Sequence, residues 1–79
     1  MKVPTVVIAQ NWNAFDYWCS RNGISPTDRV AAIPLISYTD RYRLSGKDLT
    51  GARVVKVGTI NEFNLSAFTK ELNARGVTF

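Results

Sequence analysis

Histidine is absent from this 79-residue chain, which removes the side chain most often used as a general base and as a metal ligand. The single cysteine, Cys19, cannot build a zinc site, and no acidic cluster suits a hard cation. Serine, threonine and lysine all occur, yet none stands beside an identifiable base. These absences argue against an enzyme, and no catalytic residue, metal or cofactor is expected.

A nucleotide needs a phosphate cradle. Lys47 follows Gly46, as the lysine of a phosphate-binding loop follows its second glycine. That motif also needs glycine where Arg41 stands and serine or threonine where Asp48 stands. The turn Gln10-Asn11-Trp12-Asn13 contains no glycine, so the dinucleotide fingerprint is missing as well. A helix N-terminus can still attract an anion through its free amides. Gln10, Asn11, Thr59 and Asn61 are therefore the residues of an alternative ligand crevice, with helix capping by the asparagines as the competing role.

Tyr38-Thr39-Asp40-Arg41-Tyr42-Arg43 interleaves aromatic and basic residues. Arg41, Arg43, Lys47, Arg53 and Lys56 could pair phosphates while the rings stack on bases. A solvated loop folded over the core yields the same string. The charge excess is mild, +4 from ten Lys and Arg against six Asp and Glu, and it is spread along the chain. It permits a nucleic-acid or acidic protein partner and demands neither. Trp12, Tyr17, Tyr38, Tyr42 and Phe63 are more aromatic side chains than a small core can hide, and such residues dominate binding hot spots. They form the candidate protein-binding set, against the alternative that they complete the core. An exposed sheet face would equally serve self-association into a homo-oligomer.

These residues need elements to position them. The length allows one domain spanning 1–79, which buries only about 60% of its unfolded surface. A lone cysteine that cannot close an internal disulfide favours a reducing compartment, and within a helical stretch it reads as a small buried hydrophobe. No apolar run approaches the ~20 residues of a membrane span. Met1-Lys2-Val3-Pro4 lacks a signal-peptide core, so the expected setting is the cytoplasm.

Periodicity then supplies the architecture. Val3 to Gln10 reads as a strand with two apolar faces, Val6 and Ile8 on one and Val7 and Ala9 on the other, which is the pattern of a central strand. A helix follows, capped by Asn13, with Asp16 in its first turn and Ala14, Phe15, Trp18 and Cys19 as its buried stripe; Gly23 and Ile24 end it. Residues 25–36 allow two readings. Ser25, Pro26 and Asp28 could start a helix through Val30-Ala31-Ala32. The branched run and Pro34 favour a turn into a second strand, Arg29 to Ile36, placed at an edge because Pro34 lacks an amide hydrogen. Residues 37–52 are rich in turn formers, with a short helical turn expected around Leu49. Arg53 to Gly58 is the third strand, with Lys56 marking an open face or edge. A last helix is expected from an Asn64 cap, with Leu65, Phe68 and Leu72 inward and Gly76-Val77 at its end. The tail Val77-Thr78-Phe79 either packs on the core or adds a short strand. Strands alternating with helices predict a small Rossmann-like α/β layer: a three-stranded, mostly parallel sheet in order 2-1-3 with two main helices. Its crevice should lie outside the carboxyl ends of strands one and three.

Several pieces together resemble a family of short orphan proteins encoded by actinobacterial phages, including those of mycobacteria. They are Val6-Val7-Ile8-Ala9, the helix ending at Asn22-Gly23-Ile24, Pro26 with Asp28, Asp48-Leu49-Thr50-Gly51, and Arg53 to Thr59 with its trailing helix. The resemblance implies a compact α/β fold and an accessory role in the infected host, and it supplies no catalytic residues. Small phage proteins often bind a host protein. The expectation is thus a non-enzymatic protein in the host cytoplasm that binds a host or phage protein, with a nucleic-acid or nucleotide-binding module as the alternative.

Overall fold

Val6, Val7, Ile8 and Ala9 are all buried, so both faces of the first apolar run are covered and that run is the central strand. The computed structural model describes residues 4–28, 30–46 and 49–77. Val3, Arg29, Lys47, Asp48, Thr78 and Phe79, all named above, lie outside the described residues. The strands are β1 (Thr5–Ala9), β2 (Ala32–Leu35) and β3 (Val54–Val57). They form one sheet in the order β2-β1-β3, and both ladders are parallel. Ile33 lies beside Val6 and Leu35 beside Ile8 on one side of β1. Val55 lies beside Val7 and Val57 beside Ala9 on the other. The chain is therefore a small α/β fold.

Helix α1 (Trp12–Arg21) covers one face and helix α2 (Glu62–Ala74) the other. The α1 side of the core is small: Val7, Ala9, Cys19 and Ala32 packed around Phe15. The α2 side is larger, with Val6, Ile8, Ile33 and Leu35 of the sheet meeting Phe68 and Leu72 of α2. Leu44, Leu49 and Val77 fill out that side, so the end of the described chain packs on the core. Both helices end in the same way. Gly23 (φ 67°) and Gly76 (φ 81°) take the left-handed conformation. The next amide in each case, Ile24 or Val77, donates back to Cys19 or Leu72 at 2.9 Å.

The strands are shorter than expected, Thr5–Ala9 for Val3–Gln10, ending at Leu35 for Ile36, and Val54–Val57 for Arg53–Gly58, and other expected features move for local reasons. Asn11, not Asn13, caps α1, because its Oδ1 accepts the Ala14 amide at 2.8 Å. Asp16 consequently falls outside the first turn of the helix. Asn61, not Asn64, caps α2, accepting the Phe63 amide at 2.8 Å. Strand β2 begins at Ala32, because the Asp28 carboxylate accepts the Val30 and Ala31 amides at 3.0 and 3.1 Å and holds them in a turn. The helical turn expected around Leu49 is instead a tight turn closed by the Ala52 amide on the Leu49 carbonyl at 2.9 Å. The helical segment of this connection lies earlier, as a 3₁₀ helix over Tyr38–Leu44.

The two sheet edges are unlike. Thr5 donates to the Ala31 carbonyl, and alternation then turns the backbone groups of residues 32, 34 and 36 away from β1. None offers a free N–H on that side. The Ala32 amide donates to Asp28 O at 3.1 Å, Pro34 has no amide hydrogen, and the Ile36 amide donates to Asp40 Oδ2 at 2.9 Å. On β3, the bonds from Val6 to Arg53 O and from Gln10 to Val57 O leave Val54 and Lys56 facing outward.

Candidate functional site

The carboxyl ends of the three strands feed three segments that carry exposed aromatic rings: Trp12 after β1, Tyr38 and Tyr42 after β2, and Phe63 after β3. Trp12 is the first residue of α1, since Asn11 is the cap, and its ring meets Phe15 edge-on at 5.8 Å. Tyr38 opens the 3₁₀ helix, and Phe63 lies in the first turn of α2. Together with Tyr17, these are the aromatic residues the sequence marks for protein binding, and their exposure ranges from 39% at Tyr38 to 66% at Phe63.

Two arginines, Arg43 held by Asp40 and Arg41 held by the Tyr38 carbonyl, position four of the five. Asp40 is 7% exposed. Its Oδ2 accepts the Ile36 and Ser37 amides, both at 2.9 Å, which fixes the start of the 3₁₀ helix. Its Oδ1 accepts Arg43 Nε at 3.3 Å. That bond places the Arg43 guanidinium 5.7 Å from the Trp12 ring centroid and 5.0 Å from that of Tyr42. Two residues back, Arg41 Nε donates to the Tyr38 carbonyl at 3.1 Å. The Arg41 guanidinium lies 3.8 Å from the Tyr38 centroid, and Tyr38 in turn tilts against Phe63 at 5.2 Å. Two arginine–aromatic stacks therefore stand side by side on one short helix, each with a guanidinium tethered through its Nε. Cation–π contacts of this kind contribute about 0.5–1 kcal/mol each at exposed sites. Their larger effect is to limit the rotamers of long side chains before any partner arrives.

Tyr17 stands apart. It lies within α1 and makes its contacts with Arg21 of the same helix, 3.4 Å from the Nη1 atom to the hydroxyl.

No family model, curated protein or solved structure matches the chain. The site is therefore read from its own geometry.

The crevice residues are engaged with the protein's own backbone. Gln10 Oε1 accepts the Thr59 amide at 3.3 Å, so this side chain spans the space between the ends of β1 and β3. Gly58 makes room for it with φ 82°; a Cβ there would stand 2.6 Å from Gln10 Oε1. Asn11 and Asn61 cap their helices. Asn64 reaches across to the Ile36 carbonyl at 3.5 Å and ties α2 to the end of β2.

The basic residues divide. Arg41 and Arg43 stand on the 3₁₀ helix that follows β2, whereas Arg53 and Lys56 are exposed on and beside β3 at the opposite edge of the sheet. Among the described residues, no group of three or more His, Cys, Asp or Glu could hold a metal ion. No helix there is long and apolar enough to cross a membrane.

Sequence reasoning missed the clamp role of Asp40 and the wall that α2 adds through Ala67 and Lys70. The first had a signal: Ser37-x-x-Asp40 is the spacing of a helix start. The second had none, because the pairing of α2 with the 3₁₀ helix is tertiary.

Proposed function

We propose that this protein is a non-catalytic binding module that docks on a host or phage protein through Trp12, Tyr38, Tyr42 and Phe63. The observation that carries the reading is the pair of tethered arginines, Arg41 over Tyr38 and Arg43, held by Asp40, beside Trp12 and Tyr42. Trp, Tyr and Arg are the residue types that dominate interface hot spots. Rings held in place lose little entropy on docking, so their burial converts efficiently into affinity. Tyr17 lies outside this surface. The phage resemblance makes the host cytoplasm the setting and the host's own proteins the first candidates for a partner.

Nucleic acid ranks second, because Arg53 and Lys56 sit at the sheet edge away from Arg41 and Arg43. The test is affinity capture from an actinobacterial lysate with and without nuclease, run in parallel on the wild type and on Trp12→Ala/Tyr42→Ala. A protein retained in stoichiometric amount after nuclease, and lost with the double variant at unchanged thermal stability, is the expected result. Retained nucleic acid, with every protein lost on digestion, overturns the reading.

A further inference from the structure

We infer that the groove between the 3₁₀ helix and α2 takes an acidic segment of a partner protein, with carboxylates on Arg41 and Lys70 and an apolar side chain against Tyr38 and Phe63. The inference rests on the binding-module reading and names the chemistry of its partner.

The groove begins as a cavity of about 340 Å³ with Tyr38 and Arg41 on one wall and Phe63, Ala67, Lys70 and Glu71 on the other. A second cavity of about 400 Å³ continues it and shares Arg41 and Glu71. Phe63, Ala67 and Lys70 are spaced i, i+4 and i+7, so they form one stripe of α2, distinct from the stripe of Phe68 and Leu72 that faces the core. Both cavities are partly open to solvent. Sites for small ligands enclose most of the ligand surface, whereas an open groove suits a length of chain.

Charge selects the kind of chain. Glu71, the acidic residue of the groove, is held by Arg75 Nη2 at 2.9 Å. Arg41 and Lys70 make no ion pair among the described residues, so the net field in the groove is positive. Arg41 is also aimed. Its Nε is tied to the Tyr38 carbonyl and its guanidinium lies 3.8 Å from the Tyr38 ring centroid. Its two terminal nitrogens, which make no hydrogen bond among the described residues, are left to take a carboxylate. Next to them, the Tyr38–Phe63 pair and the small side chain of Ala67 offer an apolar floor. A peptide with carboxylates flanking an aromatic or leucine side chain meets both features at once.

The test is a displayed library of random dodecapeptides selected on the whole protein and, in parallel, on Arg41→Glu/Lys70→Glu. The most enriched peptides are then synthesised, labelled with fluorescein and titrated by anisotropy. The expected peptides carry several Asp or Glu around Trp, Phe or Leu. Their affinity should fall about tenfold or more with Lys70→Glu and equally with Ala67→Trp, which fills the groove, while both variants keep the wild-type melting temperature. Enrichment without acidic residues, equal binding to the charge-reversed variant, or no enrichment at all overturns the inference. So does a labelled oligothymidylate that binds through Arg41 and Lys70 where no acidic peptide does. Neutral peptides that bind and are lost with Trp12→Ala would remove the groove and leave the binding-module reading standing. Failure of both the peptide selection and the lysate capture would remove both.

Discussion

Replacing Asp40 tests whether a buried carboxylate organises the aromatic surface, and the two oxygens of that carboxylate make the test sharp. Oδ2 holds the Ile36 and Ser37 amides, and Oδ1 holds Arg43. In Asp40→Ala both oxygens are lost. The Ile36 amide, in a half-buried residue, loses its acceptor at a cost of about 1–2 kcal/mol. Ser37 is exposed, so water replaces most of its bond. The ion pair adds about 0.5–1 kcal/mol after allowance for partial screening of Arg43. The expected loss is about 2–3 kcal/mol, which lowers the melting temperature of a domain this size by about 10–20 °C. Asp40→Asn can keep its amide oxygen at the Oδ2 position and so keep both backbone bonds, while its NH₂ faces Arg43. It should cost about 1 kcal/mol, close to Arg43→Met. Urea and thermal unfolding followed by circular dichroism give all three numbers. Near-equal losses for Asp40→Ala and Arg43→Met would refute the reasoning, because the carboxylate would then act through the ion pair and not through the backbone.

Other expectations follow from single residues. Gly58→Ala should cost about 2 kcal/mol, from the left-handed backbone and the displaced Gln10 carboxamide; Gln10→Ala in the same chain should recover part of it in a double-mutant cycle by urea unfolding. Leu44→Ala should cost about 2–5 kcal/mol because Leu44 is fully buried in the α2 side of the core, whereas Phe63→Ala should change stability by less than about 0.5 kcal/mol; chemical denaturation compares the two. Cys19 is fully buried, so its reaction with a thiol reagent should follow the global unfolding equilibrium, and fast labelling of the native protein would contradict the packing of α1.

The sheet was legible where two signals agreed. β1 carries apolar residues on both faces, and Pro34 marks β2 as an edge; together they lead to the order that the ladders show. The helix ends were legible for the same reason, since Gly23-Ile24 and Gly76-Val77 each pair a left-handed residue with an apolar one. Helix starts were less so. Each has two asparagines in reach, Asn11 with Asn13 and Asn61 with Asn64, and spacing within the chain does not choose between them. For α1 the choice is made by the ladder: the Gln10 amide bonds to Val57 at 3.0 Å, which fixes where β1 lets go and leaves Asn11 next in line. The aromatic residues of the site were legible as surplus rings, but their grouping was not. It depends on Asp40 turning Arg43 toward Trp12, a contact between residues that lie far apart in sequence.

The unequal sheet edges have a consequence for how copies of this chain can meet. A strand added beside β2 would find carbonyls and no N–H to match its own acceptors, so lateral growth stops there. Beside β3, the outward groups of Val54 and Lys56 can still pair. Two copies joined by that side would present β2 at both outer margins, and each margin is already terminated. Association through these edges would thereby be finite: it would close at a pair, with no second side on which open-ended stacking could continue.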